Sequence, residues 1–357
     1  MDKIIPDLDL IGATAILMVV GYHVVQWLPA KPQWLLMVTN PGQYGVNLFF
    51  ALSGFLVGSL YFRERMKYGN VDKSRFILKL ITRTVPIYLI ALAISFLGSR
   101  IFEGEAFEWT YLIFLQNYLE KIPYFKVSWS LCVEEHFYAI LPFFLTIIYF
   151  LTKHSGKLVV KAIIISTLLL PTLLRISEFK QGMPFGYTTT ASQFYMDSLG
   201  FGVLASWFSL HRKSWLAFTD LHVTVFIFLT AGLLFATNIV PAALVFGVGI
   251  LLMGILFATV TLFSAFTQQL NLARHPFTEL IALSSYSTYI THAVVLQALN
   301  MAFRKTPKFI QDLWPLIAII FIGSALLAGI VFYKLIESPL LKIREKYYPS
   351  RGLLASG

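Results

Sequence analysis

Runs of about twenty apolar residues recur along almost the whole chain, and they constrain its fold more than any other feature. A helix needs about 20 mostly apolar residues to cross a bilayer. Ten stretches meet that need: 8–29, 44–62, 80–99, 129–152, 158–174, 191–210, 217–236, 239–266, 279–301 and 313–335. Backbone groups in lipid have no water to bond, which makes a helix the solution for each run. The expected fold is therefore all-α, an integral membrane bundle of about ten transmembrane helices. The apolar stretch from Trp109 to Leu119 is too short to span and reads as an interfacial or re-entrant helix. Residues 1–345 are expected to form a single transmembrane domain and 346–357 a short tail. The first run is too long for the apolar part of a cleavable signal peptide.

Composition supports this class. The 357 residues are 57% hydrophobic and 13% charged, against about 25% charged in a typical soluble domain. A single cysteine, Cys132, excludes an internal disulfide framework. The net charge of +10 reads as membrane topology and not as a nucleic-acid surface. With the N-terminus in the cytoplasm, inner loops and ends hold 18 lysines and arginines and outer loops 9, Arg175 being counted outside. That is the bias of the positive-inside rule, so both termini are expected to be cytoplasmic. The outer run from Arg304 to Lys308 is locally basic and goes against the trend.

Against this background the polar residues inside spans stand out: His23, Asn47, Ser53, Arg83, Glu134, Glu135, Asp197 and His292. Ionisable groups in hydrocarbon cost free energy and mark functional sites by default. No grouping of His, Cys and carboxylates has metal-ligand spacing, so no metal is expected. Ser53-Gly54 lacks the G-x-S-x-G elbow of a serine nucleophile and reads better as a close-packing or ligand-approach position.

Several of these residues fall in motifs with a common resemblance. Leu8-Asp9 through Tyr22-His23 resembles the first helix of the acyltransferase-3 family of membrane acyltransferases. Gly45-Val-Asn-Leu-Phe-Phe-Ala-Leu-Ser-Gly-Phe-Leu56, Arg83-Thr-Val-Pro-Ile-Tyr88 and Trp129-Ser-Leu-Cys-Val-Glu-Glu-His-Phe-Tyr138 are similar to further family segments. So are Asp197 to Gly202, Ser285-Tyr-Ser-Thr-Tyr-Ile-Thr-His292 and Ile336-Glu-Ser-Pro339. Departures exist: Gly12, Leu80 and Tyr195 stand where the family usually has arginines.

The resemblance implies transfer of an acyl group, most often acetyl from acetyl-CoA, to a hydroxyl of a carbohydrate. Envelope glycans such as lipopolysaccharide O-antigen are among the family's acceptors, which implies a multi-pass protein of the bacterial inner membrane. His23 would be the general base, since imidazole titrates near neutral pH. A carboxylate at Glu134 or Glu135 would hold the imidazolium; sequential helix positions point about 100° apart, so the two cannot share one cavity. Lys79, Arg83 and Arg75 would bind donor phosphates, Arg83 having Asp9 as its alternative partner. Asn47, Ser53, Trp129, Asp197, Tyr286 and His292 would shape the substrate site. Direct transfer and a route through acylated histidine are equally compatible with the sequence. Two rivals stand beside this reading: a glycan exporter, which no inverted repeat supports, and an inactive family member, which Gly12 motivates.

Overall fold

In the computed structural model, residues 6–28, 31–180, 189–211, 245–267 and 275–347 are described, with positions 229 and 232. Their regular structure is helical. In chain order the helices are α1 (Pro6–Trp27), α2 (Gln33–Thr39), α3 (Gly45–Tyr68), α4 (Lys73–Phe102), α5 (Trp129–Leu151) and α6 (Gly156–Lys180). They continue with α7 (Met196–His211), α8 (Ile250–Thr267), α9 (Pro276–Leu283), α10 (Ser285–Phe303), α11 (Trp314–Phe332) and α12 (Ser338–Tyr347).

Seven helical stretches among the described residues are long and apolar enough to cross a membrane: Asp7–Trp27, Gln33–Tyr68, Lys73–Phe102, Lys126–Leu151, Gly156–Glu178, Phe246–Ala265 and Trp314–Tyr347. Of the other expected spans, 217–236 lies almost wholly outside the described residues. The one at 191–210 is the 16-residue α7. The one at 279–301 divides at Ser284 into α9 and α10. Trp109 to Leu119 forms short 3₁₀ turns in place of the expected helix. Arg175, counted above in an outer loop, is wholly buried within α6, which runs on past 174 to Lys180.

Apolar side chains cover much of the outside, as a lipid-facing surface requires. On α5, Ile140, Phe143, Ile147 and Phe150 form an exposed stripe at helical spacing, and α4 shows Leu97, Ile101 and Phe102. Patches of this kind do not face water in soluble monomers.

The middle of the bundle is set by backbone approach. α3 and α7 touch through glycines: a Cβ on Gly54 would lie 2.0 Å from the Leu199 carbonyl oxygen, and one on Gly202 would lie 2.2 Å from that of Ala51. Gly58, one turn after Gly54, would meet Ser206 Oγ at 2.4 Å. Small residues four apart are how membrane helices pack closely without a hydrophobic force between them. Wrapped by α3, α6 and α8, α7 is buried over most of its length. A methyl at Gly54 should therefore push the α3 and α7 backbones apart and cost about 3 kcal/mol, the upper end for overpacking. Gly54→Ala is expected to lower the melting temperature in detergent, whereas Gly98→Ala, which meets nothing within 4 Å, should not. Equal melting of the two variants would exclude this account of the crossing.

Candidate active site

Two adjoining cavities hold most of the intramembrane polar residues. The larger, about 470 Å³, is lined by His23 and Tyr22 of α1, by Tyr44, Val46 and Asn47 at the start of α3, and by Trp129, Tyr195, Lys126, Thr190 and Tyr289. The smaller, about 140 Å³, is lined by Ser53, Arg83, Thr84, Glu134, Tyr138, Tyr286 and apolar side chains, again with Val46 and Tyr289.

His23 lies late in α1, and its Nδ1 is 2.9 Å from the Val19 carbonyl oxygen one turn back. A carbonyl only accepts, so Nδ1 carries the proton and Nε2 keeps its lone pair. His292 of α10 packs against it with ring centroids 4.9 Å apart. The His292 Nδ1 sits 2.6 Å from the Tyr289 carbonyl oxygen, which fixes the same tautomer, and its Nε2 is buried without a hydrogen-bond partner. Trp129 and Tyr195 form an aromatic wall, 4.9 Å between centroids, and Phe50 packs on both.

Neither expected carboxylate reaches His23. Glu134 lies with Arg83, Tyr138 and Ser53 in the smaller cavity, and Glu135 accepts a hydrogen bond from Thr84 of α4. The reason is helical phase. Glu134 is five positions after Trp129, about 140° further round α5, so Trp129 faces the His23 cavity and Glu134 faces α3 and α4. Ser53 and Tyr138 hydrogen-bond to each other across that smaller cavity. Arg83 opens onto the same space, with Glu337 and Arg344 in its electrostatic neighbourhood in place of the expected Asp9. Arg75, Lys79 and Arg83 recur every fourth residue, so they form one ridge along α4 leading to the smaller cavity.

Asp197 touches neither cavity. It forms a wholly buried ion pair with Arg175, 2.7 Å long. Arg175 also donates to the carbonyl oxygens of Phe194 and Gly247. Asp197 in turn accepts from the Ser198 backbone N–H at 2.8 Å, and Ser198 Oγ bonds the Asn47 amide at 3.3 Å. The pair therefore acts on the His23 cavity at one remove, through Asn47 and the Tyr195 segment. Among the described residues no three His, Cys, Asp or Glu side chains converge.

Sequence reasoning gave no role in the site to Tyr289, Tyr138 and Ser130, which it quoted only within motifs, or to Arg175, which it counted in a loop. Tyr289 had a signal, since it lies three residues before His292 on the same helix face. Arg175 had a weaker one, an arginine one turn after Pro171 in an apolar run. Glu337 was quoted only within a motif. It lies in a π-helical turn, Tyr333–Glu337, where it accepts from the Ser287 hydroxyl.

The acyltransferase-3 family model, described as an acyltransferase domain, matches residues 5–334. The chain belongs to this family. The match spans both cavities and every helix that lines them. O-acetyltransferase OatA of Staphylococcus aureus is 25% identical over 197 residues, covering 50% of this chain and 31% of the relative. YrhL of Bacillus subtilis, named as a candidate peptidoglycan O-acetyltransferase, is 28% identical over 193 residues, covering 49% and 28%. The matched stretch thus spans about a third or less of these curated relatives' length. No solved structure matches.

Proposed function

We propose that this protein is a membrane O-acyltransferase that moves acetyl from acetyl-CoA to a hydroxyl of an envelope carbohydrate. The observation that carries the reading is His23 itself: a histidine in a large membrane cavity, its Nδ1 committed to a carbonyl and its Nε2 left as a base. The acceptor hydroxyl gives its proton to Nε2 as its oxygen attacks the thioester carbonyl. The C–S bond then breaks, and the thiolate leaves with the proton returned from the imidazolium. Proton transfer of this kind contributes about 10²–10⁴-fold. Trp129 and Tyr195 offer faces for a sugar ring, and Asn47 with Thr190 offers hydroxyl partners. Lipopolysaccharide O-antigen and peptidoglycan are both acceptors of this description.

The donor belongs to the smaller cavity and the basic ridge that leads there. Coenzyme A carries several phosphate charges, and Arg and Lys both bind phosphate. We place this ridge and both termini in the cytoplasm of a bacterial inner membrane, on the distribution of basic residues along the chain. Contacts remote from the reacting carbonyl bind ground and transition states alike and so appear in KM. Neutralising Lys79 and Arg83 together is expected to raise KM for acetyl-CoA about tenfold or more, each charge-assisted contact being worth about 1.5 kcal/mol. An unchanged donor KM would leave these cations as topology determinants only.

Labelled acetyl-CoA supplied to the purified protein in liposomes, with glycan acceptors, tests the function. An alkali-labile acetyl ester on the glycan is the expected product. Glycan movement without ester would favour the exporter, and neither would favour an inactive relative.

Topology has its own test. A cysteine placed at Lys121 should react with an impermeant reagent from outside, and one at Lys67 only after permeabilisation. The reverse pattern would overturn the donor-side assignment.

A further inference from the structure

The two cavities share only two wall residues, Val46 and Tyr289. Tyr289 is 6% exposed, and its phenol is held at both ends. The hydroxyl is 2.6 Å from Ser130 Oγ and donates to the Val127 carbonyl oxygen at 3.1 Å, tying α10 to the start of α5. The ring packs edge-on to Phe49 at 6.1 Å and lies 5.6 Å from His292. A ring anchored this way cannot swing aside without breaking two buried hydrogen bonds. Val46, in the first turn of α3, lines both cavities with it, and beside it Gly45 lies so close to α1 that a Cβ there would be 2.6 Å from the Ala15 carbonyl oxygen.

We propose that Tyr289 and Val46 form a septum that sets the width of the acyl group this protein carries. The inference rests on the donor occupying the Arg83 cavity and the acceptor the His23 cavity. An acyl thioester advancing from the first leads with its acyl end, so that end crosses the septum before the carbonyl can meet the acceptor hydroxyl. A gap between two side chains discriminates by cross-section, and length matters less because the 470 Å³ beyond it can receive a straight chain. Branching next to the carbonyl is what the septum excludes. One misplaced methyl group against a fixed wall is worth about tenfold or more in specificity.

Butyryl-CoA and isobutyryl-CoA are isomers that differ in width at nearly equal volume, and the ratio of their kcat/KM values reads the septum directly. The wild type is expected to favour the straight chain about tenfold or more. Val46→Ala, which leaves the Tyr289 anchors in place, should lower that ratio about fivefold or more, and Tyr289→Leu should do the same. Tyr289→Phe keeps the ring but loses both hydrogen bonds that hold it, so it should lower the ratio by less than Tyr289→Leu. If wild type transfers acetyl yet shows no preference, or Val46→Ala transfers acetyl with an unchanged ratio, the septum is wrong and the function stands. Absence of acetyl transfer by wild type overturns the functional reading and the septum with it.

Discussion

His23→Ala is expected to abolish acetyl transfer, with a loss of about 10²–10⁴-fold, while the protein stays folded and membrane-inserted. The side chain is only half-buried and lines a cavity, so its removal opens no hole in the packed core. The Val19 carbonyl returns to ordinary helical bonding, since its contact with the ring is an extra one within the same helix. Rate against acetyl-CoA and acceptor, with monodispersity in detergent as the folding control, checks the expectation. A variant that retains more than about a tenth of the wild-type rate would remove His23 from the chemistry. His292→Ala provides a contrast. It leaves His23 its tautomer but takes away the ring packed against it, so a smaller loss is expected, expressed in kcat more than in KM.

The second large effect belongs to the buried ion pair. Arg175→Leu leaves the Asp197 carboxylate wholly buried with no cation, and breaking such a pair costs about 3–5 kcal/mol. Folded yield should collapse. Arg175→Leu combined with Asp197→Leu should recover some of that yield, because two apolar side chains of similar volume are tolerated where one lone charge is not. Activity should stay low in the double variant even so. Asp197 also holds the Ser198 backbone that reaches Asn47, and Arg175 holds Phe194 beside Tyr195. Thermal melting in detergent, alongside acetyl transfer, separates the two roles. A double variant that melts no higher than Arg175→Leu would show that the pair is not the source of the instability.

Much of the helical plan is legible in hydropathy, because lipid asks only that a segment be long and apolar. What hydropathy misses is where a helix outlasts its apolar stretch. α4 begins at Lys73, seven residues before the apolar run, capped by the Asp72 carboxylate on the Arg75 N–H at 3.1 Å. α6 likewise continues beyond 174 and carries Arg175 into the protein. The polar residues lining the cavities were legible as candidates and their arrangement much less so. His23, Asn47 and Trp129 do meet in one cavity, and Arg83 meets Glu134, Ser53 and Tyr286 in another. That there are two cavities, with Glu134 in the one lacking His23 and Glu135 turned to Thr84, depends on the rotation of α5 against α3 and α4. Side-chain packing from distant regions of the chain sets that rotation. The same holds for His292, whose ring meets His23 only because α1 and α10 cross at that depth.

The charge buried on α7 bears on how the chain is made. Asp197, the second residue of α7, is wholly buried, and an ionisable group placed in hydrocarbon costs free energy. Alone, this helix is a poor candidate for insertion. Its cation lies on α6, so α6 and α7 are expected to leave the translocon together and to dock on the glycine face of α3. Damage at this junction would therefore be seen by the cell's quality-control proteases during synthesis, before a single catalytic turnover could report it.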